Sequence, residues 1–136
     1  MTRVENIDRI KEIMVRKVVT VNPEADLATA ARRMMKRGIG SIAVVKGGRL
    51  VGIITESDFM RYASIGLDMG KARVGNHMRK RIVTCDPSCR IWDALMIMKK
   101  RKVRHLPVTT KNGRLQGIVS LRDLIAASQL TSIYLI

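Results

Sequence analysis

The two halves of this sequence repeat each other, and the duplication limits the possible folds more than any other feature. Residues 10–63 align with residues 74–128 at an offset of 64, which becomes 65 after one inserted residue near Lys111. The recurring positions include Met14/Met78, Val19-Thr20/Val83-Thr84, Pro23/Pro87, Gly52-Ile53/Gly117-Ile118 and Asp58/Asp123. A duplicated unit of this size cannot bury its apolar face alone. We therefore expect two copies that pack about a pseudo-twofold axis, with any site occurring in pairs.

The composition indicates a globular module that is small for an enzyme with an enclosed active site. The 136 residues are 46% hydrophobic but only 3% aromatic, so the core must be aliphatic and rich in methionine. A membrane span requires roughly 20 apolar residues, and no run of this sequence approaches that length. The first residues also lack the apolar stretch of a signal peptide. We expect a cytoplasmic protein.

Each copy predicts the order strand, helix, strand, strand, helix, which is an α/β (α+β) fold with small sheets packed on helices. Short β-branched runs at residues 18–21 and 82–85 each end at a turn that contains proline. Asp26 is a suitable N-cap for the first helix, and Gly38 follows its basic last turn as a stop signal.

A hairpin and a closing helix follow in each copy, and the hydroxyl residues Thr55 and Ser120 stand where the closing helices need N-caps. These elements predict a first repeat over residues 10–65 and a second over residues 74–130. The glycine-rich stretch at residues 66–73 is then the linker between them.

The net charge of +15 is unevenly distributed between the halves. Residues 1–68 contain 12 Lys and Arg against 8 acidic residues, whereas residues 69–136 contain 14 against 3. The positive electrostatic potential that this excess of Lys and Arg creates favours polyanions or phosphorylated ligands as partners. A solvated cationic surface that serves solubility is the alternative explanation.

The repeated motifs resemble those of the CBS domain, and the whole chain resembles the tandem pair called a Bateman module. The resemblance covers roughly residues 10 to 128. It depends on a Val-Thr-Val-x-Pro opening, a Leu-Pro-Val strand at residues 106–108, and a Gly-Ile-Ile-Thr-x-x-Asp close, present at residues 52–58 and, in variant form, at residues 117–123. Each motif is weak alone, but the same order occurs twice at one spacing.

The resemblance implies a regulatory sensor that binds AMP, ADP, ATP or S-adenosylmethionine in clefts between the repeats, without chemistry of its own. Asp58 and Asp123 are then the candidates for binding the ribose, because a carboxylate accepts hydrogen bonds from a diol. Thr55 and Ser120 are candidate polar contacts to the same ligand. All four residues also have a structural explanation, since hydroxyl and acidic side chains cap helix N-termini.

Cations that suit a phosphate are concentrated in the second copy, where the candidates are Lys102, Arg104, His105 and Arg122. Arginine can clamp a phosphate with two hydrogen bonds, and histidine can add a third donor. The matching stretch of the first copy, residues 38–43, lacks cations. We therefore expect the Asp123 site to hold a phosphorylated ligand better than the Asp58 site.

Two further candidates follow from the resemblance. In related modules the opening strand of one repeat contributes to the base pocket of the other, which adds Thr20 and Thr84 to the lining residues. As β-branched strand residues, both would also be present for structural reasons.

Metal binding and catalysis find little support in the sequence. His77, His105, Cys85 and Cys89 include every histidine and cysteine, but their spacing fits no standard zinc pattern. No nucleophile elbow, P-loop or GxGxxG motif is present. We predict no metal site, no catalytic residues and no required cofactor.

Two classes of function remain open. The first is a stand-alone adenine-nucleotide sensor that signals to an unidentified protein effector. The second is a basic nucleic-acid-binding protein that uses the Lys/Arg-rich second half, because clustered cations bind phosphate backbones. We also expect a homodimer, because the family pairs its modules through helical faces and because the tail at residues 130–136 is apolar.

Overall fold

Small sheets and helices alternate along the chain, so the α+β class predicted from the repeats is confirmed. The computed structural model describes residues 8–128. These residues form two compact units, one of residues 18–82 and the other of residues 8–17 together with residues 83–128. None of the helices described in this range is long and apolar enough to cross a bilayer. The apolar tail at residues 130–136 lies outside the described residues.

The unit of residues 18–82 contains a three-stranded sheet and three helices. In chain order its elements are β1 (Thr20–Val21), α1 (Leu27–Arg37), β2 (Ser41–Lys46), β3 (Arg49–Thr55), α2 (Glu56–Ser64) and α3 (Val74–His77). Strand β2 lies between its neighbours, parallel to β1 and antiparallel to β3. Gly47 and Gly48 both have positive φ, as the two-residue turn between β2 and β3 requires.

The local sequence determines where helix α1 begins and ends and which of its side chains are buried. Asp26 caps the helix, since its Oδ1 accepts a hydrogen bond of 2.7 Å from the Thr29 N–H. Gly38 ends the helix in the left-handed conformation, as predicted, with φ 63°. The stripe between these signals is buried in a core that is aliphatic except for one tyrosine and consists of Val21, Leu27, Ala30, Met34, Ile42, Val44, Ile54, Tyr62 and Val74.

The second unit combines the start of the chain with the second repeat. Its elements are a 3-10 turn (Ile10–Glu12), α4 (Ile91–Arg101), β4 (His105–Thr109), β5 (Leu115–Ser120) and α5 (Leu121–Ala127). Strands β4 and β5 form an antiparallel pair. The core beneath them consists of Ile10, Met14, Cys85, Ile91, Ala94, Met98, Leu106, Val108, Val119 and Leu124.

The strand predicted at residues 82–85 is reduced to a single bridge between Cys85 and Val108. The Cys85 N–H donates to the Pro107 carbonyl at 3.1 Å, and the Thr109 N–H donates to the Cys85 carbonyl at 3.0 Å. Pro107 faces this segment but has no N–H to donate, so the ladder cannot continue toward Val83. The first copy has Ala43 at the corresponding position, and there β1 and β2 pair over two residues.

Each unit contains one close contact between a methionine and a glycine strand position. Met14 lies against Gly117 in β5, and Met78 lies against Gly52 in β3. Backbone bridges join the next residues, Val15 to Ile118 and Arg79 to Ile53. The segment at the start of each repeat therefore belongs to the unit that contains the hairpin of the other repeat.

We predict that Gly117→Ala destabilises the protein by about 1–3 kcal/mol, the usual cost of overpacking. An added Cβ would lie 2.7 Å from the Met14 sulfur and 2.9 Å from the Val15 carbonyl oxygen, and the carbonyl cannot rotate away. Urea unfolding measures the change. Gly70→Ala is the control, because its Cβ would meet nothing closer than 3.5 Å. Equal stability of the two variants would contradict the packing described.

Candidate functional site

Several predicted residues of the second copy meet where β4 begins and β5 ends. His105 faces Ser120 in the register of the two strands. The Leu121 N–H donates to the Arg104 carbonyl at 2.8 Å, which holds Arg104 beside the start of α5. The structure thus brings Arg104, His105 and Ser120 together with Asp123, which lies in the first turn of α5.

Asp123 and Ser120 form a reciprocal capping box. The Asp123 N–H donates to the Ser120 hydroxyl oxygen at 3.1 Å, and the Ser120 N–H donates to Oδ2 of Asp123 at 3.1 Å. The second carboxylate oxygen, Oδ1, has no hydrogen-bond partner within residues 8–128, and the residue is half-buried. The capping explanation is therefore correct, yet Asp123 also keeps an oxygen available to a ligand.

A basic groove of about 410 Å³ lies on the same unit and includes two of the predicted cations. It is lined by Leu95, Met98, Lys99, Lys102, Val103, Arg104 and Leu121. Lys102 ends α4 in the left-handed conformation, with φ 57°, where the first copy has Gly38. Lysine is unusual in this conformation, so the second copy accepts backbone strain where it places a cation.

Thr84 and Arg122 are less closely connected to this cluster. Arg122 is exposed in the first turn of α5, and within residues 8–128 no hydrogen bond joins it to Asp123. Thr84 is half-buried and precedes Cys85, the residue that bridges to β4. Both belong to the unit that contains Asp123.

In the first copy, the corresponding aspartate is completely buried. The side chain of Asp58 has no exposed surface. Its Oδ2 accepts hydrogen bonds from the Thr55 N–H at 2.9 Å and from the Thr55 hydroxyl at 3.2 Å. Thr55 therefore stands at the helix N-cap, as expected, but its hydroxyl donates to the carboxylate.

Two arginines neutralise the buried carboxylate, and the sequence analysis missed both. Arg79 Nη2 lies 2.7 Å from Oδ1 of Asp58, and Arg79 Nε lies 2.8 Å from Oδ1 and 3.1 Å from Oδ2. Arg61 Nη2 adds a contact of 3.2 Å to Oδ1. The sequence analysis considered only residues 38–43 of this copy, which lack cations. The cations beside Asp58 come instead from α2 and from the segment that follows α3. The alignment of the two repeats could have pointed to Arg79, because it pairs this arginine with the apolar Val15 and so marks a difference in charge between the copies.

These contacts set the ionisation of the pair. Burial alone would raise the pKa of Asp58, but hydrogen bonds from Arg79 and Thr55 and the charge of Arg79 outweigh it and hold that pKa below its ordinary value. The hydrogen bond to Asp58 in turn raises the pKa of Arg79. Asp58 is therefore ionised and paired at neutral pH.

Thr20, the remaining predicted residue, lies in β1 opposite Ala43 and is half-buried. Its carbonyl accepts a hydrogen bond of 2.7 Å from Arg33 Nη1. Thr20 belongs to the unit that contains Asp58. Among residues 8–128, no group of three or more His, Cys, Asp or Glu side chains is arranged to hold a metal ion.

The family model for the CBS domain matches residues 10–65 and 74–130. This chain belongs to the CBS-domain family. An uncharacterised 17.7 kDa protein from Acidianus ambivalens is 38% identical over 120 residues, which are 88% of this chain and 72% of that protein. The inosine-5'-monophosphate dehydrogenase of Korarchaeum cryptofilum is 33% identical over 118 residues, which are 87% of this chain but only 24% of that enzyme. The predicted tandem CBS pair is confirmed.

Solved CBS structures share this fold. The CBS domain protein PAE2072 from Pyrobaculum aerophilum, complexed with AMP, superposes with a TM-score of 0.79 over 85% of this chain and 88% of that chain. The CBS domain pair of MJ0100, in complex with 5'-methylthioadenosine and S-adenosyl-L-methionine, gives 0.82 over 95% of this chain and 99% of that chain. Both are 24% identical to this sequence, so the likeness establishes the fold.

We predict that Asp58→Asn costs about 1.5–3 kcal/mol at pH 7, the range for hydrogen bonds to charged groups. Because the pKa of Asp58 is lower in the folded state, its ionised form stabilises the protein above the unfolded pKa of about 3.9. This stabilisation disappears as the pH falls through the folded pKa. Urea unfolding of the parent and variant at pH 7 and near pH 2 should show the difference shrinking in acid.

The control for this experiment is Asp93→Asn, which changes an exposed carboxylate of α4. It should change stability little at either pH. If Asp58→Asn costs the same at both pH values, ionisation of Asp58 does not carry the stabilisation.

Proposed function

We propose that this protein is a regulatory CBS module that binds an adenosine-containing ligand through Asp123 and the neighbouring cations. The observation that carries the proposal is Oδ1 of Asp123, which has no partner within residues 8–128 and lies in a cluster with Arg104, His105 and Ser120. A ribose diol requires such an acceptor, and a phosphate requires such cations.

The solved CBS structures support this class of ligand. AMP, 5'-methylthioadenosine and S-adenosyl-L-methionine, the molecules bound to PAE2072 and MJ0100, all contain adenosine. What distinguishes them is the group attached to the ribose. Because Lys102 and Arg104 favour an anionic group, we propose AMP, ADP or ATP as the ligand, with S-adenosylmethionine as the second choice.

A regulatory output without catalysis fits this proposal. Ligand binding would shift the population of conformations that an effector protein recognises, to the extent that the ligand binds one conformation more tightly. Signalling to an effector protein and a cytoplasmic location both remain predictions. The match to inosine-5'-monophosphate dehydrogenase covers a quarter of that enzyme, so its activity is not carried over to this chain.

Replacing Asp123 should weaken AMP binding at least tenfold, because hydrogen bonds to a charged acceptor are worth about 1.5–3 kcal/mol. Isothermal titration calorimetry of Asp123→Ala measures the loss, and Asp93→Ala on the same unit is the control. A parent protein that binds no AMP but binds oligonucleotides in a salt-sensitive manner would contradict the proposal and favour a nucleic-acid partner.

Replacing Arg104 should separate the phosphate from the nucleoside. We expect Arg104→Ala to weaken AMP by about tenfold or more and to change adenosine binding little, since only AMP carries the group that the guanidinium would hold. Competition titrations with both ligands give the ratio. Arg114→Ala, an exposed arginine of the same unit, is the matched control, and equal losses for AMP and adenosine would exclude a phosphate role for Arg104.

We also propose that the module forms a homodimer through its helices. Large apolar side chains remain exposed on α1, α2 and α4, including Met35 at 81%, Met60 at 74% and Trp92 at 66%. Contiguous apolar patches mark interfaces, and we propose that a second copy of the chain covers these side chains.

We predict a dimer in sedimentation velocity at tens of micromolar. Trp92→Glu should shift the distribution toward monomer, because a charge in an apolar interface is costly to bury. Arg114→Glu controls for the added acid. A parent protein that sediments as a monomer would exclude the dimer.

A further inference from the structure

We propose that Arg79 closes the Asp58 site to nucleosides by occupying the carboxylate that would accept the ribose. The protein then binds one nucleotide per chain, through Asp123. This inference deepens the proposed function and depends on it, because it concerns the second of the two sites that the tandem repeat predicts.

The hydrogen-bonding capacity of Asp58 is already full. A carboxylate offers about four lone-pair positions. Oδ1 contacts Arg79 Nη2, Arg79 Nε and Arg61 Nη2, all within 3.2 Å, while Oδ2 contacts the Thr55 N–H, the Thr55 hydroxyl and Arg79 Nε. With no exposed surface on the side chain, an incoming hydroxyl has no oxygen to reach.

The two repeats provide an internal comparison. Both aspartates accept a hydrogen bond from the N–H three residues earlier, at 2.9 Å in the first copy and 3.1 Å in the second. Both repeats also have the bridge that places a residue beside the hairpin, Arg79 with Ile53 and Val15 with Ile118. The two copies differ in what that residue carries: a guanidinium in one and an isopropyl group in the other.

The position matching Arg61 differs as well, since it is Ala126. Arg61 makes one contact of 3.2 Å to Asp58, whereas Arg79 approaches both carboxylate oxygens. We therefore assign the block to Arg79 and regard Arg61 as a supporting contact.

A nucleoside would have to exchange charged donors for neutral ones. A guanidinium adds the attraction of opposite charges to its hydrogen bonds and can hold both carboxylate oxygens at once, whereas a ribose hydroxyl brings no charge. Displacing Arg79, whose side chain is 51% exposed, would also separate it from a carboxylate that has no exposed surface, which is unfavourable. The exchange therefore favours the closed state.

Two reciprocal substitutions test the role of Arg79, with AMP and adenosine as the probes. Arg79→Val gives the first copy the residue that the second copy has, and should raise the AMP stoichiometry from about one to about two per chain. Val15→Arg does the reverse and should reduce the affinity of the remaining site at least tenfold. Val15 is 48% exposed, so its replacement is tolerated sterically. Calorimetry gives both quantities, and adenosine checks that the new site does not depend on a phosphate.

Arg61→Ala is the matched control and should keep a stoichiometry of about one. If it raises the stoichiometry as Arg79→Val does, the assignment to Arg79 is wrong. A parent protein that already binds two AMP molecules per chain, or an Arg79→Val variant that folds and still binds one, overturns the closure while leaving the proposed function intact.

A parent protein that binds neither AMP nor adenosine overturns the proposed function itself. If Arg79→Val fails to fold, as judged by circular dichroism, Val15→Arg still decides the matter. Unchanged AMP affinity in that variant shows that an arginine at this position does not close a site.

Discussion

The arrangement of each unit depends on how closely a methionine segment can approach a strand. Met14 and Met78 lie against glycines of β5 and β3, at distances that no Cβ could share. The approach brings the following residue into a backbone bridge with the strand. Without a glycine in the strand, Val15 would not be held beside β5, nor Arg79 beside β3. The difference between valine and arginine at this position would then have no structural consequence.

The two copies use the same capping geometry, but the charge of the capping aspartate has different surroundings in each. In both, an aspartate in the first turn of a helix accepts a hydrogen bond from the N–H of the N-cap residue. Two arginines form ion pairs with the buried Asp58 carboxylate, so its charge is not available to a ligand. Asp123 uses only Oδ2 in its cap, and among residues 8–128 its Oδ1 has no hydrogen-bond partner, on the same unit as the cationic groove. A duplicated fold thus produces two chemically different positions.

The sequence predicted the elements well where local signals are strong. Asp26 and Gly38 bounded α1 correctly, and Thr55 and Ser120 were placed correctly at the starts of α2 and α5. The strand at residues 82–85 was wrong because the β-branched pattern says nothing about the donor that Pro107 lacks. Arg79 was missed for a related reason: its partner is 21 positions away, and the register that brings them together depends on the Met78 contact with Gly52.

Lys102 shows what the cationic groove costs the folded chain. At the corresponding position the first copy has glycine, the residue that adopts the left-handed conformation without steric penalty. For a residue with a Cβ, that conformation costs about 1–2 kcal/mol, a noticeable share of the 5–15 kcal/mol by which proteins are typically stable. Selection for thermal stability alone would place glycine at position 102. If the proposed function is correct, the lysine exchanges stability for charge, and homologues that bind no anionic ligand should be free to have glycine there.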